Sequence, residues 1–214
     1  MKTLKIKVCG MKDESNIKEL IAVNPDFMGF IFYNNSKRYV NENFDKAILK
    51  GIPTKIKKVG VFVNSELDEV KLKKEKYKLD FVQLHGNETP DFCKNLFDEN
   101  ISIIKSFGIS EEKDFEKIND YKNYCTYFLF DTKTENFGGS GKKFNWKLLA
   151  NYNFSLPFFI SGGIDMEDIE KIKEINNSIF FGVDINSKFE INYGIKDVEK
   201  IKLFINKIKN KLNT

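Results

Sequence analysis

Three side chains that can transfer a proton or react covalently stand at the ends of apolar segments in this chain: Cys9, His85 and Asp131. A cysteine acts as a base or nucleophile only as thiolate, which a helix N-terminus favours, and Cys9 precedes a predicted helix. A core position is the alternative, since free cysteine is commonly buried. Asp131 should face a polar opening, because burying an unpaired carboxylate is costly. His85 could instead simply hold a loop.

Arg38 is the single arginine among the 35 basic residues of the chain. A guanidinium can grip a carboxylate or phosphate through two parallel hydrogen bonds, which a lysine ammonium cannot do. We therefore consider Arg38 a candidate anion clamp. The alternative is a solvated surface position, where most charged side chains lie.

The composition limits the class of protein. With 214 residues, 41% of them hydrophobic, the chain fits one domain over 1–214 with a substantial core. The net charge is only +4, and Glu69 and Glu75 accompany the lysine-rich run 71–78, which favours a solvated helix face over a nucleic-acid surface. No apolar run approaches the ~18 residues that span a membrane, and the N-terminus does not resemble a signal peptide. We therefore expect a cytoplasmic protein.

The cysteines and the histidine count argue against disulfides and metals. Cys9, Cys93 and Cys125 are odd in number and widely spaced, and His85 is the only histidine. This pattern predicts free thiols and no metal centre.

Eight apolar runs of strand length recur along the chain: 4–9, 27–32, 57–63, 80–84, 101–107, 127–131, 157–161 and 179–184. Such near-continuous runs are typical of parallel strands that are buried on both faces. Amphipathic segments with helical spacing lie between or after them, at 14–23, 42–50, 65–77, 89–97, 166–175 and 196–212. Predicted helix N-caps are Asp13, Asn64 or Ser65, Thr89 and Asp165.

Alternation of strand and helix, about eight times in roughly 200 residues, predicts a single-domain α/β protein, a (β/α)8 TIM barrel. The fifth connection, 110–123, is highly charged, so we expect its helix to be short or absent. An open doubly wound sheet is the alternative architecture. In a β/α barrel the chemistry lies at the C-terminal ends of the strands, where the candidate residues stand.

Two glycine-containing segments are candidates for the loops around a ligand. The segment 138–142 lacks the spacing of a P-loop, so we interpret it as a mobile lid. Gly162 and Gly163, together with Asn186 and Ser187, follow the seventh and eighth runs. Loops in those positions offer backbone N–H groups to a phosphate in many barrels. An ordinary tight turn is the alternative for the glycine pair.

Taken together, these segments resemble the phosphoribosylanthranilate isomerase family. The matching motifs extend over the whole chain and lie at 7–11, 29–32, 36–40, 58–64, 83–88, 130–131, 138–142, 144–146, 160–164 and 183–187. Their order and spacing are more specific than any one of them. Lys188 and Asn145 depart from the family pattern, where glycine and aspartate are common.

The resemblance implies an intramolecular oxidoreductase of tryptophan biosynthesis, an aldose-ketose isomerase that needs no metal or organic cofactor. Asp131 would be the general acid that opens the ribose ring, and Cys9 the general base that removes the C2 proton. Arg38 would grip the anthranilate carboxylate, and Asp184 is a plausible partner of a ribose hydroxyl. The other expected substrate-binding residues are Gln83, His85, Gly139, Ser140, Gly141, Gly162, Gly163, Asn186 and Ser187. An acid and a base also require environments that move their pKa values in opposite directions.

The expected partner is a small phosphorylated substrate, without nucleic acid or membrane, and the chain is expected to be a monomer or a homodimer. One alternative is an indole-forming synthase, another phosphate-binding barrel, but its chemistry calls for lysine and glutamate at the strand ends. A second alternative is a barrel that only binds a phosphorylated ligand. Binding alone needs no matched proton donor and acceptor.

Overall fold

Eight parallel strands close into a barrel in the computed structural model, which describes residues 3–133 and 143–209. The strands are β1 Lys5–Val8, β2 Phe27–Ile31, β3 Lys57–Phe62, β4 Phe81–Leu84, β5 Ile103–Ile109, β6 Tyr127–Thr132, β7 Phe158–Ile160 and β8 Phe180–Ile185. Each predicted apolar run overlaps one of them, and their sequential order confirms the predicted barrel. Closure depends on β1, which pairs with both β2 and β8 and sets Lys7 opposite Asp184.

The connections carry helices of unequal length. The α-helices are α1 Glu14–Val23, α2 Ala47–Lys50, α3 Leu67–Tyr77, α4 Pro90–Asp98, α5 Ile169–Lys173 and α6 Val198–Lys209. Tighter 3-10 helices span Glu112–Tyr121, Trp146–Asn151, Met166–Asp168 and Ser187–Phe189, and a hairpin of β9 Glu190–Asn192 and β10 Ile195–Lys196 precedes α6. The fifth connection thus forms a 3-10 helix rather than an α-helix, in line with its charged sequence. The predicted helix 42–50 is an α-helix only over its last turn.

Local capping chemistry explains where several helices begin. The side chains of Asp13 and Thr89 accept hydrogen bonds from backbone N–H groups three residues further on, as predicted. The predicted cap of α3 is wrong, because that helix begins after Glu66. The Asn64 side chain instead accepts the N–H of Asn87 and joins two loops.

Aromatic side chains fill the N-terminal end of the barrel interior. Phe27, Phe81 and Tyr127 each begin a strand, and they pack with Phe159 and Phe181 in one cluster. The ring centroids of Phe27 and Phe159 lie 5.3 Å apart edge to face, and those of Tyr127 and Phe181 lie 4.5 Å apart and stacked. We call this cluster the aromatic floor. None of the helices within the described residues is long and apolar enough to cross a membrane.

Candidate active site

A cavity of about 440 Å³ opens among the C-terminal ends of the strands. Its lining includes every predicted site residue in the described ranges, namely Cys9, Arg38, Gln83, His85, Asp131, Gly162, Gly163, Asp184, Asn186 and Ser187. The predicted contacts Gly139, Ser140 and Gly141 lie outside the described residues. Closure of the barrel therefore brings together side chains from both ends of the sequence.

Cys9 directly follows β1 and is buried, and its backbone N–H donates to the Ile185 carbonyl at 2.9 Å. Burial raises the pKa of the Cys9 thiol, because the thiolate loses its hydration, while the neighbouring Lys7 ammonium acts in the opposite direction. In the free protein the desolvation of the thiol outweighs the nearby positive charge.

Lys7 and Asp184 form a buried ion pair under Cys9. The Lys7 Nζ lies 2.8 Å from Asp184 Oδ2, and the lysine side chain is fully buried. Burial raises the pKa of Asp184, with Lys7 opposing the shift. Among the described residues, Asp184 Oδ1 is buried and has no hydrogen-bond partner. This orphaned acceptor can receive a hydroxyl group of a ligand.

Asp131 lies in β6 and faces the cavity, as expected, with one fifth of its side chain exposed. Its Oδ1 accepts the backbone N–H of Thr132 at 2.7 Å. Its Oδ2 lies 3.5 Å from His85 Nε2. Because the backbone N–H engages Oδ1, Oδ2 is the oxygen that can carry and deliver a proton.

Gln83 determines how His85 meets Asp131. The Gln83 Nε2 lies 3.0 Å from His85 Nδ1, and an amide NH2 group can only donate. With the Gln83 amide in this orientation, His85 Nδ1 accepts and Nε2–H faces Asp131, while Gln83 Oε1 is buried without a hydrogen-bond partner among the described residues. Thus His85 contacts the proposed acid through an N–H group.

A buried ion pair supports the loop that carries His85. Lys105 Nζ lies 3.1 Å from Glu88 Oε2, with both side chains nearly fully buried. Lys105 also donates to the carbonyl oxygens of Leu84 and Gly86, on either side of His85. These bonds give His85 a fixed backbone position.

The guanidinium of Arg38 pairs with the carboxylate of Glu190, a residue that the sequence analysis did not identify. Its Nε donates to Glu190 Oε1 at 2.8 Å and its Nη2 to Glu190 Oε2 at 2.6 Å, which is the bidentate geometry of a guanidinium and a carboxylate. The Tyr193 ring lies 5.2 Å from the guanidinium carbon. Arg38 itself lines the cavity, and no hydrogen bond from its Nη1 to a described residue occurs, so this side of the guanidinium can meet a ligand.

Lys196 links this pair to the loop after β8. Its Nζ donates to Glu190 Oε1 at 2.7 Å and to Asn186 Oδ1 at 2.6 Å. Burial lowers the pKa of Lys196 to about 8, although Glu190 opposes the change. Asn186 is therefore fixed through its side chain, which leaves its backbone to define the cavity wall.

Gly162 and Gly163 have positive φ angles of 90° and 61°, which glycine adopts without strain. A Cβ atom on Gly162 would come within 2.6 Å of Asp131 Oδ1, so the loop passes very close to the carboxylate. No acceptor within 3–133 or 143–209 takes the N–H of Gly162 or Gly163. These N–H groups are available to an anion.

The sequence reasoning missed Lys7, Glu190 and Lys196. Lys7 carried a usable signal, because a lysine two residues before Cys9 in a buried strand must point to the same side as the thiol. Glu190 and Lys196 gave no such signal, because they pair with each other across the β9–β10 hairpin, which the apolar pattern did not predict. Groups of three or more potential metal-binding side chains do not occur in the described part of the chain.

Comparison with known proteins places this geometry in context. A family model described as N-(5'phosphoribosyl)anthranilate (PRA) isomerase matches residues 6–207. A relative from Parabacteroides distasonis named N-(5'-phosphoribosyl)anthranilate isomerase is 45% identical over 204 residues, covering 95% of this chain and 92% of the relative. A relative of the same name from Thermotoga maritima is 34% identical over 207 residues, and the match covers 96% of this chain and 98% of the relative.

Solved structures agree with the sequence relatives. The crystal structure of phosphoribosyl anthranilate isomerase from Thermotoga maritima has a TM-score of 0.84 at 33% identity and covers 96% of this chain and 98% of that chain. A second isomerase structure, in complex with reduced 1-(o-carboxyphenylamino)-1-deoxyribulose 5-phosphate, has a TM-score of 0.83 at 30% identity with the same coverage.

Proposed function

Because the chain belongs to the N-(5'-phosphoribosyl)anthranilate isomerase family, we propose that the cavity performs this isomerisation with Asp131 as general acid and Cys9 as general base. The reaction is an aldose-ketose isomerisation of tryptophan biosynthesis, an Amadori rearrangement of N-(5-phosphoribosyl)anthranilate to 1-(2-carboxyphenylamino)-1-deoxyribulose 5-phosphate. The observation that carries the assignment is that a thiol, a carboxyl group and an arginine line one cavity.

Asp131 starts the reaction. Proton transfer from its Oδ2 to the ribose ring oxygen opens the ring and leaves a Schiff base between the sugar C1 and the anthranilate nitrogen. His85 Nε2–H lies beside the same oxygen and stabilises the carboxylate that forms. A Schiff base withdraws electrons from C2, so the C2 proton becomes acidic enough for a thiolate to remove.

Cys9 completes the rearrangement. Removal of the C2 proton by its thiolate gives an enolamine, which tautomerises to the ketone product. Asp184 Oδ1 is an open acceptor beside Cys9 and suits a ribose hydroxyl, which would hold C2 near the sulfur. The two proton-transfer groups thus act in sequence on neighbouring atoms of one sugar.

The two charged ends of the substrate bind at different parts of the cavity. The phosphate would accept hydrogen bonds from the backbone N–H groups of Gly162 and Gly163, and it would lie close to the backbone of Asn186 and Ser187. The anthranilate carboxylate would meet the outer side of the Arg38 guanidinium.

Arg38→Lys should raise KM about 10- to 100-fold with a smaller effect on kcat, because a hydrogen bond to a charged group is worth roughly 1.5–3 kcal/mol. Steady-state kinetics would measure both constants. A substrate analogue without the carboxylate is the control, since it should respond little to the change. Equal losses for both substrates would contradict the clamp.

The function is tested with purified protein by following the loss of anthranilate-type fluorescence as substrate is consumed. We expect turnover without added metal or cofactor. No turnover by protein with the native circular dichroism spectrum would overturn the assignment.

The isomerase from Thermotoga maritima is described as dimeric. For this chain we propose a monomer or a homodimer that is located in the cytoplasm.

A further inference from the structure

Lys7 is a charged side chain with no exposure, directly below the thiol of Cys9. The two residues are separated by one position at the end of β1, so their side chains leave the chain on the same side. The Lys7 Nζ lies 2.8 Å from Asp184 Oδ2. A Cβ atom placed on Gly29 would lie 3.1 Å from Lys7 Nζ and 2.8 Å from Cys9 Sγ, so the ammonium and the sulfur are no further apart than these two distances together. A buried ammonium thus has one carboxylate partner and lies close to the thiol.

Gly29 on β2 provides the space for this arrangement. A Cβ atom at this position would come within 2.8 Å of Cys9 Sγ and 3.1 Å of Lys7 Nζ. Both distances are shorter than van der Waals contact, so a side chain at residue 29 would displace the thiol and crowd the ammonium. The close approach of the two groups is therefore built into the backbone of the neighbouring strand.

The charges around Cys9 do not act in one direction. Two effects raise the pKa of the Cys9 thiol, namely desolvation, which is the largest effect of all, and the negative charge of Asp184. Two positive charges lower this pKa, and that of Lys7 has a larger effect than that of Lys196. The Arg38 guanidinium, on the loop after β2, adds a further positive charge near the sulfur. Lys7 is the largest of the effects that favour the thiolate, and Asp184 keeps this lysine charged although it is buried.

We propose that Lys7 is a positioning residue of the isomerase: held by Asp184 and given room by Gly29, its ammonium makes the thiolate form of Cys9 accessible. The proposal rests on the proposed role of Cys9 as general base. In the resting protein the charges of Lys7 and Asp184 cancel. When the thiol loses its proton, the ammonium lies within reach of the new negative charge and replaces part of the lost hydration.

The test is the rate at which iodoacetamide alkylates Cys9 in Lys7→Met, measured by mass spectrometry without substrate over a series of pH values. Only a thiolate reacts, and a neighbouring charge moves a pKa by about one to three units, so at a fixed pH below the midpoint we expect at least about a tenfold slower reaction. A purely structural role predicts the opposite sign, because a loosened strand would hydrate the thiol, relieve its desolvation and speed alkylation. An unchanged or faster rate would overturn the proposal.

Two further variants keep the test decisive. If Lys7→Met does not fold, Lys7→Met/Asp184→Asn removes both buried charges together and should still slow alkylation, since the lysine effect exceeds that of the carboxylate. Lys105→Met is the matched control, because Lys105 is also buried in a strand and paired with a carboxylate. Its Cys9 alkylation profile should equal that of the wild type. The turnover of Cys9→Ala separately tests whether Cys9 is the base.

Discussion

Asp131→Asn should lower kcat of the isomerisation by about 10²–10⁴-fold, the usual contribution of a general acid. Asparagine keeps the shape of the side chain and can still accept the Thr132 N–H through its carbonyl oxygen. What it loses is the acidic proton on the outer oxygen, which would open the ribose ring. Because the fold and the cavity lining are preserved, KM should change much less than kcat.

Asp26→Asn is a suitable control for this change. Asp26 is a partly buried aspartate that accepts the backbone N–H of Ile6 and pairs with Lys5, just before β2 at the opposite end of the barrel. Asp26→Asn should keep the kcat of the wild type even if the substitution lowers the free energy of unfolding. Asp131→Asn activity above about a tenth of the wild-type value would exclude a general acid role of the ordinary size.

Cys9→Ala should also reduce kcat by about 10²–10⁴-fold, because an alanine side chain cannot take the C2 proton. Steady-state kinetics and circular dichroism together would separate lost chemistry from lost structure. Cys93→Ala and Cys125→Ala are matched controls, since both remove a buried free thiol that does not line the cavity. Near-normal turnover in Cys9→Ala would rule out the proposed base.

The role of Cys9 also fixes the sign of a pH effect. Burial raises the pKa of its thiol, so the protonated form predominates below that raised pKa and the base form increases as the pH rises. In that range kcat/KM should rise about tenfold per pH unit for a single ionisation. A rate that falls with increasing pH in the same range would contradict a thiolate base.

The order of the elements was readable from the sequence because each strand is buried on both faces and therefore nearly continuous in apolar residues. Asp13 and Thr89 were recognisable caps because their hydrogen bonds reach only three residues along the chain. Asn64 has the same chemistry but binds Asn87 in another loop, which no local pattern reveals. Predictions failed where a tertiary partner competed with a local one.

The candidate site shows the same division. Cys9 and Asp131 were found because they stand at strand ends. Glu190 was missed because its pairing with Arg38 joins residues 152 positions apart. Of the lysine and glutamate that the indole-forming alternative requires, the described cavity lining includes Lys37 but no glutamate, and the Lys105–Glu88 pair is buried under a loop.

The aromatic floor has a kinetic consequence. With Phe27, Phe159 and Tyr127 filling one end of the barrel interior, the cavity is closed at that end by the residues that the structure describes, and it opens on the side of the C-terminal strand ends. Substrate entry and product exit must then use the same opening, so the ketone has to diffuse out before another sugar phosphate can diffuse in. Product that accumulates in solution therefore competes with substrate for this entrance.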